Sequence, residues 1–346
     1  MDSKKKILFV IGSPNQTTQM FQIYQHLKED YDCYFTQFFG DHPLTRIIVK
    51  LGWLDTTIHA GQFKEKADQF CRENGLRQDY MGAQLGNKYD LVFICNDMTV
   101  SKLARSTKSI YVQEGMTDPV NWATSVVHAL GLPGVWTFNT SLNGCSNLYD
   151  IGCVASIGYK DYLSKWGTER KKLFVTGIPN FDNAAAYSNN NFPYRDYLLV
   201  CSTDMRETGR YENRTKFINE CIEHAAGRKI IWKLHPNEKF DRALKEIREI
   251  SDEIIVFQDG NTNEMIANCD ELVTQYSSVV YMGMALGKKV RSLFPLEVLK
   301  RNMPIQNGGK SAENIAKIAR EYIEFNGTKE EFYTYMHSNC HEAEVL

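Results

Sequence analysis

Short, unbroken runs of apolar residues alternate with helix-like patterns along most of this 346-residue chain. The first run, residues 7–11, is continuously apolar and ends at Gly12-Ser13-Pro14. Continuous rather than alternating apolar residues are typical of a parallel strand that is buried on both faces. A helical spacing of apolar residues follows at 17–29, and a second strand is predicted at 31–39. The chain therefore opens with a βαβ unit, which predicts an α/β fold.

The same alternation occurs on both sides of a polar linker. Residues 179–191 are rich in Asn, Ala and Ser, which is typical of a connection between domains. Further strands are predicted at 91–95, 109–113 and 173–177 before the linker, and at 197–202, 229–234, 253–257, 271–274 and 289–294 after it. A chain of this length exceeds what one hydrophobic core usually serves, so two domains are expected.

We expect two Rossmann-like domains that face a central cleft, lined by the carboxyl ends of both sheets. The predicted boundaries are residues 1–178 for the first domain and 179–325 for the second. Residues 326–346 contain a last helix pattern that could pack back onto the first domain.

The composition is that of a soluble protein, with 43% hydrophobic and 24% charged residues. The formal net charge of -2 gives no basic excess, so no nucleic-acid partner is expected. Nine cysteines are scattered without a Cys-x-x-Cys pair, which favours neither a disulfide framework nor a zinc site and fits a reducing cytoplasm. No apolar run approaches the about 20 residues needed to span a bilayer.

Two motifs in the second half carry most of the chemical information. One ends in His235-Pro236 and the other in Ser277-Ser278, and each stands where a predicted strand gives way to a helix pattern. Helix N–H groups and hydroxyls at that edge suit phosphate oxygens, and His235 could donate a hydrogen bond to a departing phosphate. We therefore predict that these four residues bind the phosphates of an activated sugar. The alternative is that the serines cap a helix and His235 stabilises a turn.

Other charged side chains near predicted strand ends have two interpretations each. Lys233 and Arg206 could bind a diphosphate or be ordinary solvated charges, and Glu264 could accept ribose hydroxyls or mark a helix start. Asp97 and Glu114 follow neighbouring strands in the first half and could form an acid/base pair, with Glu114 as the favoured base. The alternative is a pair of solvated or ion-paired loop residues. Metal-ligand spacing is absent, so a metal-independent reaction without a bound cofactor is expected.

Two apolar segments of the first half are also open to interpretation. Residues 44–54 are amphipathic and contain Arg46 and Lys50, so they could touch a membrane or a lipid-linked acceptor, or pack in the core. The segment from Trp122 to Trp136 is expected to pack in the core.

Several stretches resemble known families. Residues 172–182 are similar to the segment that joins the two domains of GT-B glycosyltransferases and of UDP-N-acetylglucosamine 2-epimerases, and residues 268–290 resemble their nucleotide-binding segment. His235-Pro236 with Ser277-Ser278 resembles the paired motifs of bacterial capsule and wall-polymer transferases. In those enzymes the motifs bind the phosphate and nucleotide of the donor.

Other segments of the chain resemble the epimerases. Asn96-Asp97-Met98-Thr99 is similar to a turn, and 112–116 to a strand end, that each carry an acidic residue in the epimerases. A His-containing epimerase segment would fall at 203–207, where no His occurs. The epimerase glycines and glutamates of the second half are also absent from 277–282.

The resemblance implies a metal-independent glycosyltransferase of the GT-B type, cytoplasmic or peripheral at the inner membrane face, in bacterial surface glycan or polysaccharide synthesis. Its partners would be a CMP-, CDP- or UDP-linked sugar and a glycan or lipid-linked acceptor. The alternatives are a UDP-N-acetylglucosamine 2-epimerase and a non-catalytic protein that binds a nucleotide sugar. The sequence does not indicate an oligomeric state.

Overall fold

The computed structural model, which describes residues 4–41, 51, 58, 60–137, 139–207 and 209–339, divides the chain into two compact units. The first is built from the chain up to Asp182 together with the chain from Asn302 onward, and the second is Asn183–Arg301. Each contains a parallel sheet whose strands are separated by helices, so the predicted α/β class is confirmed. Within the described part, no helix is long and apolar enough to cross a membrane.

The strands are β1 (Lys6–Ile11), β2 (Asp32–Gln37), β3 (Leu91–Ile94), β4 (Lys108–Val112), β5 (Ile151–Val154), β6 (Leu173–Val175), β7 (Leu198–Cys201), β8 (Ile230–Lys233), β9 (Ile255–Phe257), β10 (Glu271–Thr274) and β11 (Lys289–Arg291). The α-helices are α1 (Pro14–Leu27), α2 (Gly61–Glu73), α3 (Lys102–Ser106), α4 (Trp122–Ala129), α5 (Ile157–Lys165), α6 (Arg214–Ala225), α7 (Phe240–Arg248), α8 (Thr262–Asn268), α9 (Val279–Ala285), α10 (Leu296–Asn302), α11 (Ser311–Glu324) and α12 (Lys329–Asn339). Short 3-10 turns occur at Tyr80–Gly82, Gly134–Thr137, Arg170–Lys172 and Ala184–Ser188.

The first sheet has the strand order β2-β1-β3-β4-β5-β6, with β1 in its interior. Phe9 of β1 is in register with Phe35 of β2 and with Phe93 of β3. Its ring stacks on both, at centroid distances of 5.1 Å and 4.9 Å. Aromatic pairs of this kind add about 0.5–1.5 kcal/mol each beyond the area that they bury. The continuous apolar run read from the sequence is therefore the centre of the first core.

The chain returns to the first unit after the second unit is complete. Helix α11 packs on α1, and its last turn is held by lysines from the sheet. The Lys5 ammonium donates to the Ile323 carbonyl at 3.0 Å, and that of Lys108 donates to the Tyr322 carbonyl at 2.7 Å. Residues 302–325 therefore belong with the first unit, and the predicted boundary at residue 325 is misplaced. An amphipathic pattern shows that a helix has an apolar face but not which core covers it.

Gly177 follows β6 where the returning chain lies very close. Its backbone is left-handed, with φ of +73°, and a Cβ built on it would lie 2.3 Å from the Ser311 hydroxyl. The Asp182 carboxylate accepts the backbone N–H of Ser311 at 2.8 Å, which holds the start of α11 against this turn. Glycine is therefore required both by the conformation and by the space.

The second sheet has the order β11-β10-β7-β8-β9. Trp232 of β8 is completely buried, and its ring meets Phe217 of α6 edge-on at 5.4 Å. The indole N–H donates to the Ser202 hydroxyl just beyond β7, at 3.2 Å. This satisfies the one polar atom of the largest side chain in the core.

Three sequence expectations differ from, or lie outside, the described structure. Strand β5 was not predicted, because its four residues include a glycine and follow a polar stretch. The segment 44–54 lies outside the described residues, apart from Leu51. The prediction that Trp122 to Trp136 pack in the core is wrong: Trp122 is 81% exposed and Trp136 is 57% exposed. Only Thr124 and Val127 of α4 are buried, so a single face of this short helix meets the protein.

We expect Gly177→Ala to lower the free energy of unfolding more than Gly75→Ala does. Both glycines have left-handed backbones, with φ of +73° and +61°, and nothing lies within 4 Å of a Cβ at Gly75. An alanine with a left-handed backbone lowers the free energy of unfolding by about 1–2 kcal/mol at either site. Only at Gly177 would the new methyl group collide with Ser311, adding about 1–3 kcal/mol. Urea unfolding followed by circular dichroism measures the difference, and equal losses would contradict the packing of α11 on this turn.

Candidate functional site

Three loops meet at the carboxyl edge of the second sheet. They follow β8, β7 and β10, and β7 lies between the other two strands. Strands in a sheet are about 4.8 Å apart, so the loops after β8 and β10 start about 10 Å from each other. The loop after β8 carries His235, and the loop after β10 carries Ser277 and Ser278. The topology therefore brings the two predicted motifs to one edge, with the loop after β7 between them.

His235 belongs to a tight turn that begins directly after β8. The Glu238 N–H donates to the His235 carbonyl at 3.0 Å, and Pro236 fixes the backbone angle at the second position of the turn. The Asn237 N–H donates to Nδ1 of the imidazole at 3.2 Å. An Nδ1 that accepts a hydrogen bond leaves the proton of the neutral ring on Nε2. His235 therefore presents an Nε2–H donor from a side chain that is 34% exposed.

The loop after β7 connects the other two loops. The Thr203 hydroxyl donates to the Gln275 amide oxygen at 2.8 Å, next to the serine motif. On the opposite side, the Asp204 carboxylate accepts the side-chain amide of Asn237 at 2.9 Å and lies 3.7 Å from Nδ1 of His235. The three strand ends therefore form one continuous hydrogen-bonded edge.

Ser277 and Ser278 are both partly buried at the start of α9. The Ser277 hydroxyl accepts a long hydrogen bond, 3.5 Å, from the Val279 N–H. Ser278 occupies the N-cap position, but its side chain makes no capping hydrogen bond. The alternative that Ser278 is an ordinary side-chain cap is therefore not what the structure shows, and its hydroxyl can donate to a ligand.

The Glu238 side chain stabilises the turn that contains His235. Its side chain has no exposed surface, and its carboxylate accepts the His235 backbone N–H at 2.8 Å. The same carboxylate accepts the Ser202 hydroxyl and the Arg214 guanidinium, each at 2.5 Å. Glu238 thus joins the ends of β7 and β8 to the start of α6.

Two predicted phosphate ligands have other partners. Arg206 makes a bidentate pair with Glu246 of α7, at 2.7 Å and 2.8 Å, and a further contact with Glu212. Lys233 is buried, and its ammonium donates to the carbonyls of Leu234 and Gln258 at 2.9 Å and 2.7 Å. Burial lowers the pKa of Lys233. Both side chains are held by contacts within the protein, which favour structural roles, although the buried Nε of Arg206 has no hydrogen-bond partner among the described residues.

Glu264 lies in the first turn of α8 and is partly buried. Its carboxylate accepts the side-chain amide of Asn261, the residue that caps the same helix, at 2.9 Å. A carboxylate in a first helical turn is favourable without a ligand. The contacts of Glu264 therefore do not distinguish a ribose-binding role from a helix-start role.

Glu114 follows β4 in the first unit and meets the loop after β1. Its carboxylate accepts the Ser13 hydroxyl at 2.5 Å and the Gln16 side-chain amide at 2.7 Å. Ser13 also caps α1 by accepting the Gln16 N–H at 3.2 Å. Burial raises the pKa of Glu114, and the two hydrogen bonds from Ser13 and Gln16 only partly oppose that shift. The Glu114 carboxyl group is therefore held by the uncharged side chains of Ser13 and Gln16, and it binds a proton more tightly than an ordinary glutamate.

Asp97 follows β3, the neighbour of β4, but its surroundings are different. Its side chain is 1% exposed and accepts the backbone N–H groups of Gly144 and Ser146, at 2.5 Å and 2.8 Å. Burial raises the pKa of Asp97, as it does that of Glu114, and the hydrogen bonds from Gly144 and Ser146 only partly oppose that shift. The carboxylate therefore anchors a loop, and the predicted acid/base pair of Asp97 with Glu114 receives no support from these contacts.

A cavity of about 550 Å³ opens between α6 and the strands β10 and β11. Its lining includes Met205, Thr274 and Gln275 but not His235, Ser277 or Ser278. It therefore borders the candidate site at the loop after β7 and at the end of β10. In the part of the chain that the structure describes, no group of three His, Cys, Asp or Glu side chains is arranged to hold a metal ion.

Sequence reasoning missed the residues that support His235. Thr203 and Asp204 were noted only as part of 203–207, where an epimerase His is absent, although together with Gln275 and Asn237 they join the three loops. Asn237 and Glu238 orient the imidazole and its turn. Their position in the sequence could have identified them, because polar residues directly after apolar strands converge on one edge of a parallel sheet.

Comparisons with known proteins identify the fold. No protein-family model matches the chain, and no curated protein matches it by sequence. Among solved structures, the Neisseria meningitidis UDP-GlcNAc 2-epimerase bound to UDP-GlcNAc has a TM-score of 0.57 at 12% identity, over 96% of this chain and 94% of its own. The wall teichoic acid polymerase TagF has a TM-score of 0.55 at 13% identity, over 95% and 90% of the two chains. The chain has the GT-B-type fold.

A third structure with the GT-B-type fold supports this conclusion. The Methanocaldococcus jannaschii UDP-GlcNAc 2-epimerase, in complex with UDP-GlcNAc and UDP, has a TM-score of 0.53 at 16% identity. It aligns over 96% of this chain and 99% of its own. At such identities the likeness establishes the shared fold, and the activity has to be argued from the residues.

We expect Ser13→Ala to raise the pKa of Glu114 further, because it removes a hydrogen bond to the ionised carboxylate. A folded-state pKa above the unfolded value favours folding at acidic pH, and this contribution is lost as pH rises through the raised pKa. The loss of stability in Ser13→Ala should therefore be larger at neutral than at acidic pH. Urea unfolding at the two pH values measures it.

Ser156→Ala is the matched control for this experiment. Ser156 also caps a helix, by accepting the Tyr159 N–H, and loss of a cap costs about 1 kcal/mol. Its loss of stability should be the same at both pH values. A loss for Ser13→Ala that is equally independent of pH would contradict the proposed effect on Glu114.

Proposed function

We propose that this protein binds a nucleotide-activated sugar through its second unit and transfers the sugar to an acceptor hydroxyl. The observation that carries the proposal is a pair of donors at one sheet edge. They are the Nε2–H of His235 and the hydroxyl of Ser278, and neither has a partner among the described residues. The GT-B-type fold adds support, because structures that share it were solved with UDP-GlcNAc or UDP bound.

His235 is oriented for a phosphate before any ligand binds. The Asn237 N–H donates to Nδ1 of His235, and the backbone N–H of His235 donates to the buried Glu238 carboxylate. A fixed donor that meets an oxygen as negative charge develops on it lowers the energy of the transition state. In sugar transfer that oxygen belongs to the departing phosphate, so His235 would stabilise the leaving group.

Ser277 and Ser278 would hold the other phosphate oxygens. Their loop starts about 10 Å from that of His235, a separation that a diphosphate with its sugar or ribose can span. Thr203 and Gln275 connect the serine loop to the loop after β7. Arg206 and Lys233 have no part in this proposal, because Arg206 is paired with Glu246 and the Lys233 ammonium donates to two backbone carbonyls.

Glu114 is the carboxylate that we propose as the base. Its pKa is raised by burial, and its hydrogen bonds come from the neutral groups of Ser13 and Gln16. A base of increased proton affinity is better matched to an acceptor hydroxyl than an ordinary glutamate is. Transfer would form a bond from the acceptor oxygen to the anomeric carbon and break the bond to the phosphate. Glu114 would receive the hydroxyl proton.

Epimerisation of a UDP-linked N-acetylhexosamine is the second candidate. It is favoured by Glu114, which matches an epimerase acidic residue in the sequence resemblance, and by several UDP-GlcNAc 2-epimerase structures that share this fold. Against it, Asp97 is committed to the backbone of Gly144 and Ser146. Sugar transfer requires a single base on the protein, which Glu114 supplies.

We expect one of CMP, CDP, UMP, UDP or GDP to raise the melting temperature of the wild-type protein, and His235→Ala to weaken that effect. A ligand at 100 times its Kd stabilises a fold by about 2.7 kcal/mol. A hydrogen bond to a charged group contributes about 1.5–3 kcal/mol, so His235→Ala should raise Kd by roughly 10- to 100-fold. Ser278→Ala should raise Kd by a comparable factor, because the Ser278 hydroxyl, like the Nε2–H of His235, would donate to a charged phosphate oxygen.

His26→Ala is the control, because His26 is exposed on α1 in the other unit. A second experiment separates sugar transfer from epimerisation: the protein is incubated with UDP-GlcNAc in D2O without an acceptor. Epimerisation at C2 breaks the C2–H bond and introduces deuterium that NMR detects, whereas a transferase leaves C2 unlabelled. If no nucleotide stabilises the wild type, the assignment of His235, Ser277 and Ser278 fails.

A further inference from the structure

An uncharged segment connects β4 to β5 in the first unit. Residues 119–149 contain no Asp, Glu, Lys or Arg, although 24% of the chain is charged. Within this segment, α4 and the 3-10 turn Gly134–Thr137 pack against each other. We call residues 120–136 the apolar hairpin. Its tip is the sequence Gly131-Leu132-Pro133-Gly134.

The large apolar side chains of the apolar hairpin are turned to solvent. Trp122 is 81% exposed, Leu130 is 67% exposed and Trp136 is 57% exposed. Trp122, Val126 and Leu130 follow one another at the spacing of a helical turn, so they form one stripe. The other exposed members are Val120, Leu132 and Val135, at 41%, 44% and 47%. Contiguous apolar surface of this kind marks an interaction site.

Backbone N–H groups at both ends of α4 are satisfied within the apolar hairpin. The Asn121 side chain caps α4 by accepting the Thr124 N–H at 2.9 Å. The N–H groups of Leu130, Gly131 and Leu132 close the end of the helix on the carbonyls of Val126, His128 and Val127. The N–H of Trp136 donates to the Pro133 carbonyl at 3.0 Å. These backbone groups can therefore leave water without losing hydrogen bonds.

Two exposed cationic side chains belong to elements next to the apolar hairpin. The His128 ring meets the Trp166 ring edge-on at 5.0 Å, and the exposed Lys165 precedes Trp166 in the chain. Gly134 lies beside Met98, and the exposed Arg105 belongs to α3, which begins four residues after Met98. Neither Lys165 nor Arg105 forms an ion pair among the described residues. At its base, the Asp118 carboxylate is tied to the N–H and hydroxyl of Thr140.

We propose that the apolar hairpin docks the first unit on a lipid bilayer surface that carries anionic headgroups. Two tryptophans and a row of aliphatic side chains would enter the headgroup region, where tryptophan is enriched, and Lys165 and Arg105 would meet lipid phosphates. A specific protein interface usually carries about one hydrogen bond per 100–200 Å². The apolar hairpin has few polar groups free to make such bonds, and a bilayer requires none.

The test is flotation of the full chain with vesicles of phosphatidylcholine alone or mixed with phosphatidylglycerol. The wild type should float with vesicles, and more strongly with the anionic ones. Trp122→Ser/Leu130→Ser/Trp136→Ser should lower the fraction bound at least about tenfold, because the apolar area that drives insertion is lost. Lys165→Glu/Arg105→Glu should weaken binding to anionic vesicles by roughly fivefold per charge and leave neutral vesicles less affected.

Tyr211→Ser/Leu293→Ser/Leu296→Ser is the matched control. These side chains are 85%, 57% and 47% exposed, but they belong to the second unit. The control variant should float like the wild type, and circular dichroism should show both triple variants folded. The proposal is overturned if the wild type does not float, or if the two triple variants float equally. It is also overturned if, without lipid, the wild type self-associates and the hairpin variant does not, since a second copy would then be the occupant.

Discussion

The buried carboxylate of Glu238 is the group on which the candidate site of the second unit depends. It accepts hydrogen bonds from the end of β7, from the turn after β8 and from the start of α6. A buried carboxylate is costly unless hydrogen bonds or an opposite charge compensate for the lost water. Arg214 supplies the charge and Ser202 and His235 supply the remaining donors. The position of the imidazole is therefore set by the core rather than by a ligand.

Carboxylates elsewhere in the chain show how the partner determines the chemistry. Asp97 accepts backbone N–H groups in a closed loop, so its lone pairs are used to hold the chain. Glu246 is paired with Arg206, which lowers the pKa of Glu246. Glu114 receives only neutral donors, and its pKa is raised by burial. Of these three, only Glu114 combines partial exposure with increased proton affinity, which is the combination that a base requires.

The sequence was sufficient for the fold class and for the edge where the motifs meet, because apolar runs and strand ends are local patterns. Phe9, His235 and Ser278 lie where those patterns place them. The partners of Arg206, Lys233 and Asp97 could not be predicted, because each is supplied by a residue distant in sequence or by a carbonyl. The destination of α11 and the exposure of Trp122 were missed for the same reason. An apolar stripe shows what a helix could bury, and only the tertiary structure shows whether anything covers it.

The return of the chain to the first unit affects the order in which the protein can fold. The second unit is one continuous stretch, Asn183–Arg301, inserted between two parts of the first. During synthesis its whole sheet becomes available before α11 exists, so it can fold while the first unit is still incomplete. Until then, the surface of α1 that α11 will cover remains open, and the main-chain carbonyls that will hold Lys5 and Lys108 have not been made. The surface of α1 is thus completed only after the whole second unit has been made, and a nascent chain of this protein would expose that apolar surface until then.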